Sequence, residues 1–150
     1  MIAATILLAL AAPDWTKATA AVHEKDGKPS AALFEDAIRV NIPKAHRVHL
    51  APIVAAIRYA ENGRTGREYG CLSKYAKDKG YRKQAGECAF TVWRTYERWI
   101  KAGKPGGFIQ YLSNRYAPIG VGNDPGGLNK HWVKNVTHYY LKFRGGKTDA

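Results

Sequence analysis

Glu61 is the residue whose position most directly suggests chemistry. It follows Ile57 by four residues and so continues a stripe of Leu50, Ile53, Val54 and Ile57 at the three- and four-residue spacing of one helix face. A carboxyl so placed sits at the edge of a core, where partial desolvation disfavours its ionised form and the negative end of the helix dipole pushes the same way. An acid still protonated toward neutral pH is what glycoside cleavage requires, because the leaving oxygen must gain a proton as the bond breaks. The structural alternative is a helix-end ion pair with Arg58 or Arg64, the commoner fate of a charged residue there.

Glycosidases that work by double displacement hold a second carboxylate about 5 Å from the first, and inverting enzymes hold one farther across the cleft. Glu68, Asp78, Glu87 and Asp124 are candidates, Glu68 being nearest in the chain, and each also reads as a surface charge. His46 and His49, and His131 and His138, lack companions at metal-ligand spacing, and no glycine-rich loop follows a strand, so no metal and no cofactor is expected. Cys71 and Cys88 are too few for a disulfide scaffold and, as free thiols, read as small buried apolar residues. In an exported protein they would be expected to lie close enough to cross-link the loop after Glu61 to the next helix.

The elements that must position these groups are helical. Alternating Val, Ile and Thr is nearly absent, and no internal repeat appears. Residues 14–44 predict one or two helices with Leu33, Phe34, Ala37 and Ile38 on one face, interrupted at Asp26-Gly27-Lys28-Pro29. A buried-face helix runs from His49, with Pro52 in its first turn, to Asn62-Gly63, the left-handed stop that places Glu61 in the last turn. Residues 63–84 read as a polar loop with short helical turns. From Glu87 to Ala102, Ala89, Val92, Trp93, Tyr96, Trp99 and Ile100 face inward while Thr91, Arg94, Thr95, Arg98 and Lys101 face out. Another helix carries Phe108, Tyr111, Leu112 and Tyr116 and ends before Pro118. After a loop from Ile119 to Gly127, the last helix turns Leu128, Trp132, Val136, Tyr140 and Phe143 inward, and the tail from Arg144 frays.

Composition sets the bounds. A chain of 150 residues with 45% hydrophobic content suits one domain with one core. Twenty-four Lys and Arg against twelve Asp and Glu give a net charge of +12 and a field that attracts polyanions: nucleic acid, an anionic membrane or an anionic cell wall. The basic residues are spread along the chain rather than run together, which weakens the nucleic-acid reading. The opening MIAATILLALAA is shorter than the ~20 residues a membrane-spanning helix needs. It reads either as the apolar part of a signal peptide with small residues at Ala9 and Ala11, or as a first helix packed on the core.

The stretch AIRYAENGRTGREYGCL resembles the catalytic motif of lysozyme-like glucosaminidases and lytic transglycosylases, in which Glu-Ser/Thr-Gly ends a buried helix and Phe-Gly or Tyr-Gly follows. The matching residues are Glu61-Asn62-Gly63 and Tyr69-Gly70. Farther on, GFIQYLSNRYAPIGVGNDPGGLNKHWVKNV resembles the C-terminal part of the flagellar-type glucosaminidases, with Tyr116-Ala117-Pro118 and Asn123-Asp124-Pro125 supplying the pieces of a Tyr-Ala-Thr-Asp-Pro segment whose tyrosine faces the cleft. The likeness covers roughly residues 50–140 and leaves the first 45 unexplained.

The resemblance implies an all-α, lysozyme-like domain over residues 46–144, preceded by an N-terminal extension of residues 1–45 and followed by a tail of residues 145–150. It implies cleavage of β-1,4 bonds between amino sugars of peptidoglycan glycan strands, with Glu61 as acid and Tyr116, its hydroxyl at the cleft rim, orienting the sugar or steadying positive charge. Tyr69, Gly70, Asp124 and Trp132 would contact substrate, and Tyr59 is a further candidate for stacking on a sugar face. The families often work with one essential Glu, the substrate's acetamido group or 6-hydroxyl resolving the intermediate. Such a protein would be exported, periplasmic or wall-associated, or phage-encoded, with no transmembrane anchor and no nucleic-acid partner. The rival class is a non-catalytic basic module that binds wall polymer or nucleic acid, with Glu61 structural.

Overall fold

The computed structural model describes residues 14–118, 120, 122 and 126–145. The apolar opening, Asp124 and the chain beyond residue 145 lie outside the described residues. The described chain is all-α: α1 spans Thr16–Asp26, α2 Lys28–Asn41, α3 Arg47–Glu61, α4 Tyr81–Lys101, α5 Phe108–Tyr116 and α6 Trp132–Phe143. Short 3-10 turns at Lys44–His46 and Leu128–His131 lead into α3 and α6. Among the described residues no helix is long and apolar enough to cross a membrane.

The interruption between α1 and α2 shrinks to Gly27, whose φ of 88° suits a residue without Cβ, while Pro29 fits the first turn of α2, where its missing N–H has no helical acceptor. Both helices belong to the core. Trp15, Ala18, Val22, Phe34 and Ile38 lie in the same buried cluster as the α3 side chains, so no packing boundary falls at residue 45.

α3 is central, packed against α1, α2, α4 and α6. Its residues from Leu50 to Arg58 are all buried, so the helix is covered on every side rather than along the one stripe that the large apolar residues mark. Ala51, Ala55 and Ala56 on the remaining faces let neighbouring helices approach closely. α3 begins at Arg47, two residues before the expected start, so Pro52 falls in the second turn and removes one i to i−4 hydrogen bond. The helix ends as expected, with Asn62 left-handed at φ 45°, ψ 35°.

α4 starts six residues earlier than its apolar stripe suggests, bringing Gln84 and Ala85 into the core. Two of its assignments reverse. Thr95 is buried, whereas Ile100, in the last turn, is 40% exposed.

Candidate active site

Glu61 stands in the last turn of α3 with one edge of its side chain open to a groove. Its Oε1 accepts the indole Nε1–H of Trp132, at the start of α6, at 2.9 Å. Its Oε2 lies against Gly70, where a Cβ would overlap the carboxylate. Gly70 holds a φ of 71°, so its lack of a side chain is required twice, by the backbone and by the acid. Burial raises the Glu61 pKa above its ordinary value of 4.5, and the Trp132 hydrogen bond, which favours the ionised form, offsets part of that rise.

The alternative, a helix-end ion pair, does not form. Arg58 is turned to α1, where Nε and Nη2 donate to the two carboxylate oxygens of Asp26 at 2.7 Å each, while Nη1 donates to the Glu68 carbonyl at 3.1 Å. Among the described residues Glu61 has no ion-pair partner, although Arg64 lines the same groove. Asp26 also accepts the Tyr81 hydroxyl at 2.8 Å, and Tyr81 meets the Tyr69 hydroxyl at 2.9 Å. This buried polar chain leaves the acid free of a neutralising cation.

The loop facing Glu61 is held by Gln84, fully buried on α4. Its Oε1 accepts the backbone N–H groups of Tyr69 and Cys71 at 3.2 Å each, and its Nε2 donates to the carbonyls of Cys71 at 2.7 Å and Ala76 at 3.0 Å. All four bonding positions of the amide are used, which fixes the backbone on either side of Gly70.

Three expected aromatic contacts to sugar are reassigned. Tyr69 is 0% exposed, so its ring is core and only its backbone belongs to the site. Tyr59 lies elsewhere, donating to the Ala21 carbonyl at 2.8 Å and packing on Tyr139 and Phe143 with ring centroids 5.1 and 4.8 Å away. Trp132 is buried and acts on the acid through its N–H rather than presenting a stacking face. Tyr116 does line the groove, with its ring stacked on Trp132 at 5.5 Å. Its hydroxyl is not at the rim: it donates inward to the Tyr69 carbonyl and lies 3.3 Å from Cys71 Sγ. The reason is the buried loop carbonyl, which otherwise has the weak Cys71 Sγ donor at 3.9 Å.

Cys71 and Cys88 are both free and buried, so the cross-link expected for an exported protein is absent here. Burial pushes the Cys71 thiol up to about 12 and the Cys88 thiol well above its ordinary range, which keeps both in the unreactive protonated form.

Around Glu61 the opening has a volume of about 270 Å³ and is edged by Arg64, Arg67, Leu72 and Asn129. It continues across Gly70, Leu72 and Tyr116 into a space of about 360 Å³ bordered by Glu87, Thr91 and Arg115. Of the candidate second carboxylates among the described residues, Glu87 is the one on this groove. Glu68 is turned inward, its Oε1 accepting the Gly66 N–H at 3.0 Å, and Asp78 packs beside Gly66. Sequence reasoning missed Gln84, Arg67, Arg115 and Asn129. Gln84 alone left a signal: it falls on the face shared by Cys88 and Val92, four and eight residues on, once α4 is extended to Tyr81. Comparisons of the chain with protein-family models, curated proteins and solved structures find no match.

Proposed function

We propose that the protein is a lysozyme-like enzyme that cleaves β-1,4 glycosidic bonds between amino sugars of bacterial peptidoglycan, with Glu61 as the general acid. One observation carries the reading: a half-buried carboxyl with a raised pKa, held by an indole N–H and unpaired with any cation among the described residues, opens onto a continuous groove. With Oε1 occupied by the Trp132 N–H, the acidic proton belongs on Oε2, beside the side-chain-free Gly70. A glycosidic oxygen over Gly70 would receive it as the bond to the departing sugar lengthens.

The Tyr116 ring edges the place where positive charge develops, while Arg64, Arg67 and Arg115 suit carboxylates carried by the strand. Reaching such a substrate fits an exported protein or a phage-encoded lytic or virion protein. Incubating purified wall with the wild-type chain and with Glu61→Gln, then weighing the soluble products by mass spectrometry, tests the reading. Sugar fragments released by the wild type, and reduced ~10²–10⁴-fold in the variant, support it. Binding without release by the wild type refutes it and leaves a non-catalytic wall-binding module.

A further inference from the structure

The groove at Glu61 does not stop at α4. Glu87 lines it and also lines a second, larger groove of about 440 Å³ between α4 and α2. Three large apolar side chains border this second groove while remaining in water: Val40 is 81% exposed, Tyr75 67% and Phe90 49%. Their neighbours are polar and of both signs, Asp36 and Glu87 beside Arg82 and Lys83. Arg82 and Lys83 stand on the rim, Arg82 only loosely paired with Asp36 at 3.5 Å, and Lys74 Nζ lies 5.1 Å from the centre of the Tyr75 ring.

Exposed aromatic rings beside a polar channel with charged groups of both signs match the chemistry of a sugar chain, whose rings are apolar on their faces and whose hydroxyls both donate and accept. The apolar C–H face of each sugar packs on a ring, and its hydroxyls donate to Asp36 and Glu87 and accept from Arg82 and Lys83. Gly86 lies between the two rims and keeps the floor of the groove low.

We propose that the α2–α4 groove is a distal subsite for the same glycan strand that passes Glu61, crossing α4 at Glu87 and running on to Phe90 and Tyr75. This rests on the reading of the Glu61 groove as a glycan cleft. Its consequence is a preference for long strands over short oligosaccharides, since only a long strand reaches both grooves at once.

The test separates the subsite from the chemistry. In the full chain carrying Glu61→Gln, affinity is measured for a peptidoglycan tetrasaccharide and for strands several times longer, with and without the pair Tyr75→Ala and Phe90→Ala. Longer strands bind about tenfold more tightly or better, and the double substitution removes that gain while leaving tetrasaccharide affinity unchanged. Because both rings are exposed, unchanged tetrasaccharide affinity also reports an intact fold. A length-dependent gain that persists in the double variant overturns the subsite, as does an equal loss at both lengths. Tight, length-dependent binding by a wild type that cuts nothing would remove Glu61 as the acid and leave the subsite standing. No binding at any length would remove both.

Discussion

The indole N–H of Trp132 and the carboxyl of Glu61 meet at 2.9 Å across 71 positions of chain, and this bond both aims the acid and limits how far burial raises its pKa. Trp132→Phe deletes the donor while keeping an aromatic ring to stack on Tyr116. With the one contact that favours the ionised form gone, Glu61 stays protonated to higher pH, so the alkaline limb of the pH–rate profile moves upward. The maximal rate falls about tenfold or more because the carboxyl loses its mount. A limb displaced to lower pH would contradict this assignment of the bond.

Stability carries the same signature with a definite sign. A carboxyl whose folded pKa lies above its unfolded value favours the folded state fully below the unfolded value, and that contribution is lost as pH rises through the folded one. For Glu61 the window therefore opens near its ordinary 4.5 and extends upward. Glu61→Gln, which never ionises, should melt higher than the wild type at neutral pH, with the difference shrinking as both are acidified below that window. Melting curves at a series of pH values check this, and a variant less stable at neutral pH would mean that the ionised carboxylate has a stabilising partner beyond the Trp132 N–H.

Gly70→Ala tests the closeness of the loop to the acid. A non-glycine residue at a φ of 71° costs about 1–2 kcal/mol, and the added methyl must also displace the Glu61 carboxylate. Cleavage should drop by at least ~10²-fold, since shifting a reacting group by an ångström has that effect. Gly86→Ala is the contrast, a helical position where the new Cβ comes no nearer than 3.9 Å to Asn41 Nδ2. It should stabilise the protein by ~0.5–1 kcal/mol. Chemical denaturation of the two variants beside the wild type gives both numbers.

Periodicity made α3 and its end legible, because Leu50, Ile53, Val54 and Ile57 mark one face and Asn62-Gly63 a stop, and both depend on local chain geometry. It did not show that Arg58 is claimed by Asp26, 32 residues earlier, nor that Gln84 holds the Gly70 loop. Those are long-range polar contacts, and a one-dimensional pattern of apolar residues carries no trace of them. The start of α4 was obscured for a related reason: Tyr81, Arg82 and Lys83 read as polar loop, and only Gln84 and Ala85 beneath them are core. Tyr69 and Tyr116 were both read as cleft aromatics. In each the hydroxyl is committed inward, to Tyr81 and to the Tyr69 carbonyl, because a buried loop must satisfy its polar groups with whatever donors lie near.

That inward commitment reverses what the sequence suggests for Tyr116→Phe. A hydroxyl at the rim of the cleft would matter for turnover and little for folding. The observed hydroxyl instead bonds the Tyr69 carbonyl beside Cys71 Sγ, so its removal leaves that buried acceptor with the weak thiol contact at 3.9 Å, at a cost of about 1–3 kcal/mol. The ring, which is the part that faces the groove and stacks on Trp132, is unchanged by the substitution. Tyr116→Phe should therefore unfold at lower urea concentration than the wild type, yet cleave wall at a rate within about tenfold of it while folded. Urea titrations and release assays on the same preparation, run well below the unfolding midpoint, measure the two effects separately. Unaltered stability with abolished cleavage would place the hydroxyl on the substrate after all, and would require the Tyr69 carbonyl to find its donor elsewhere.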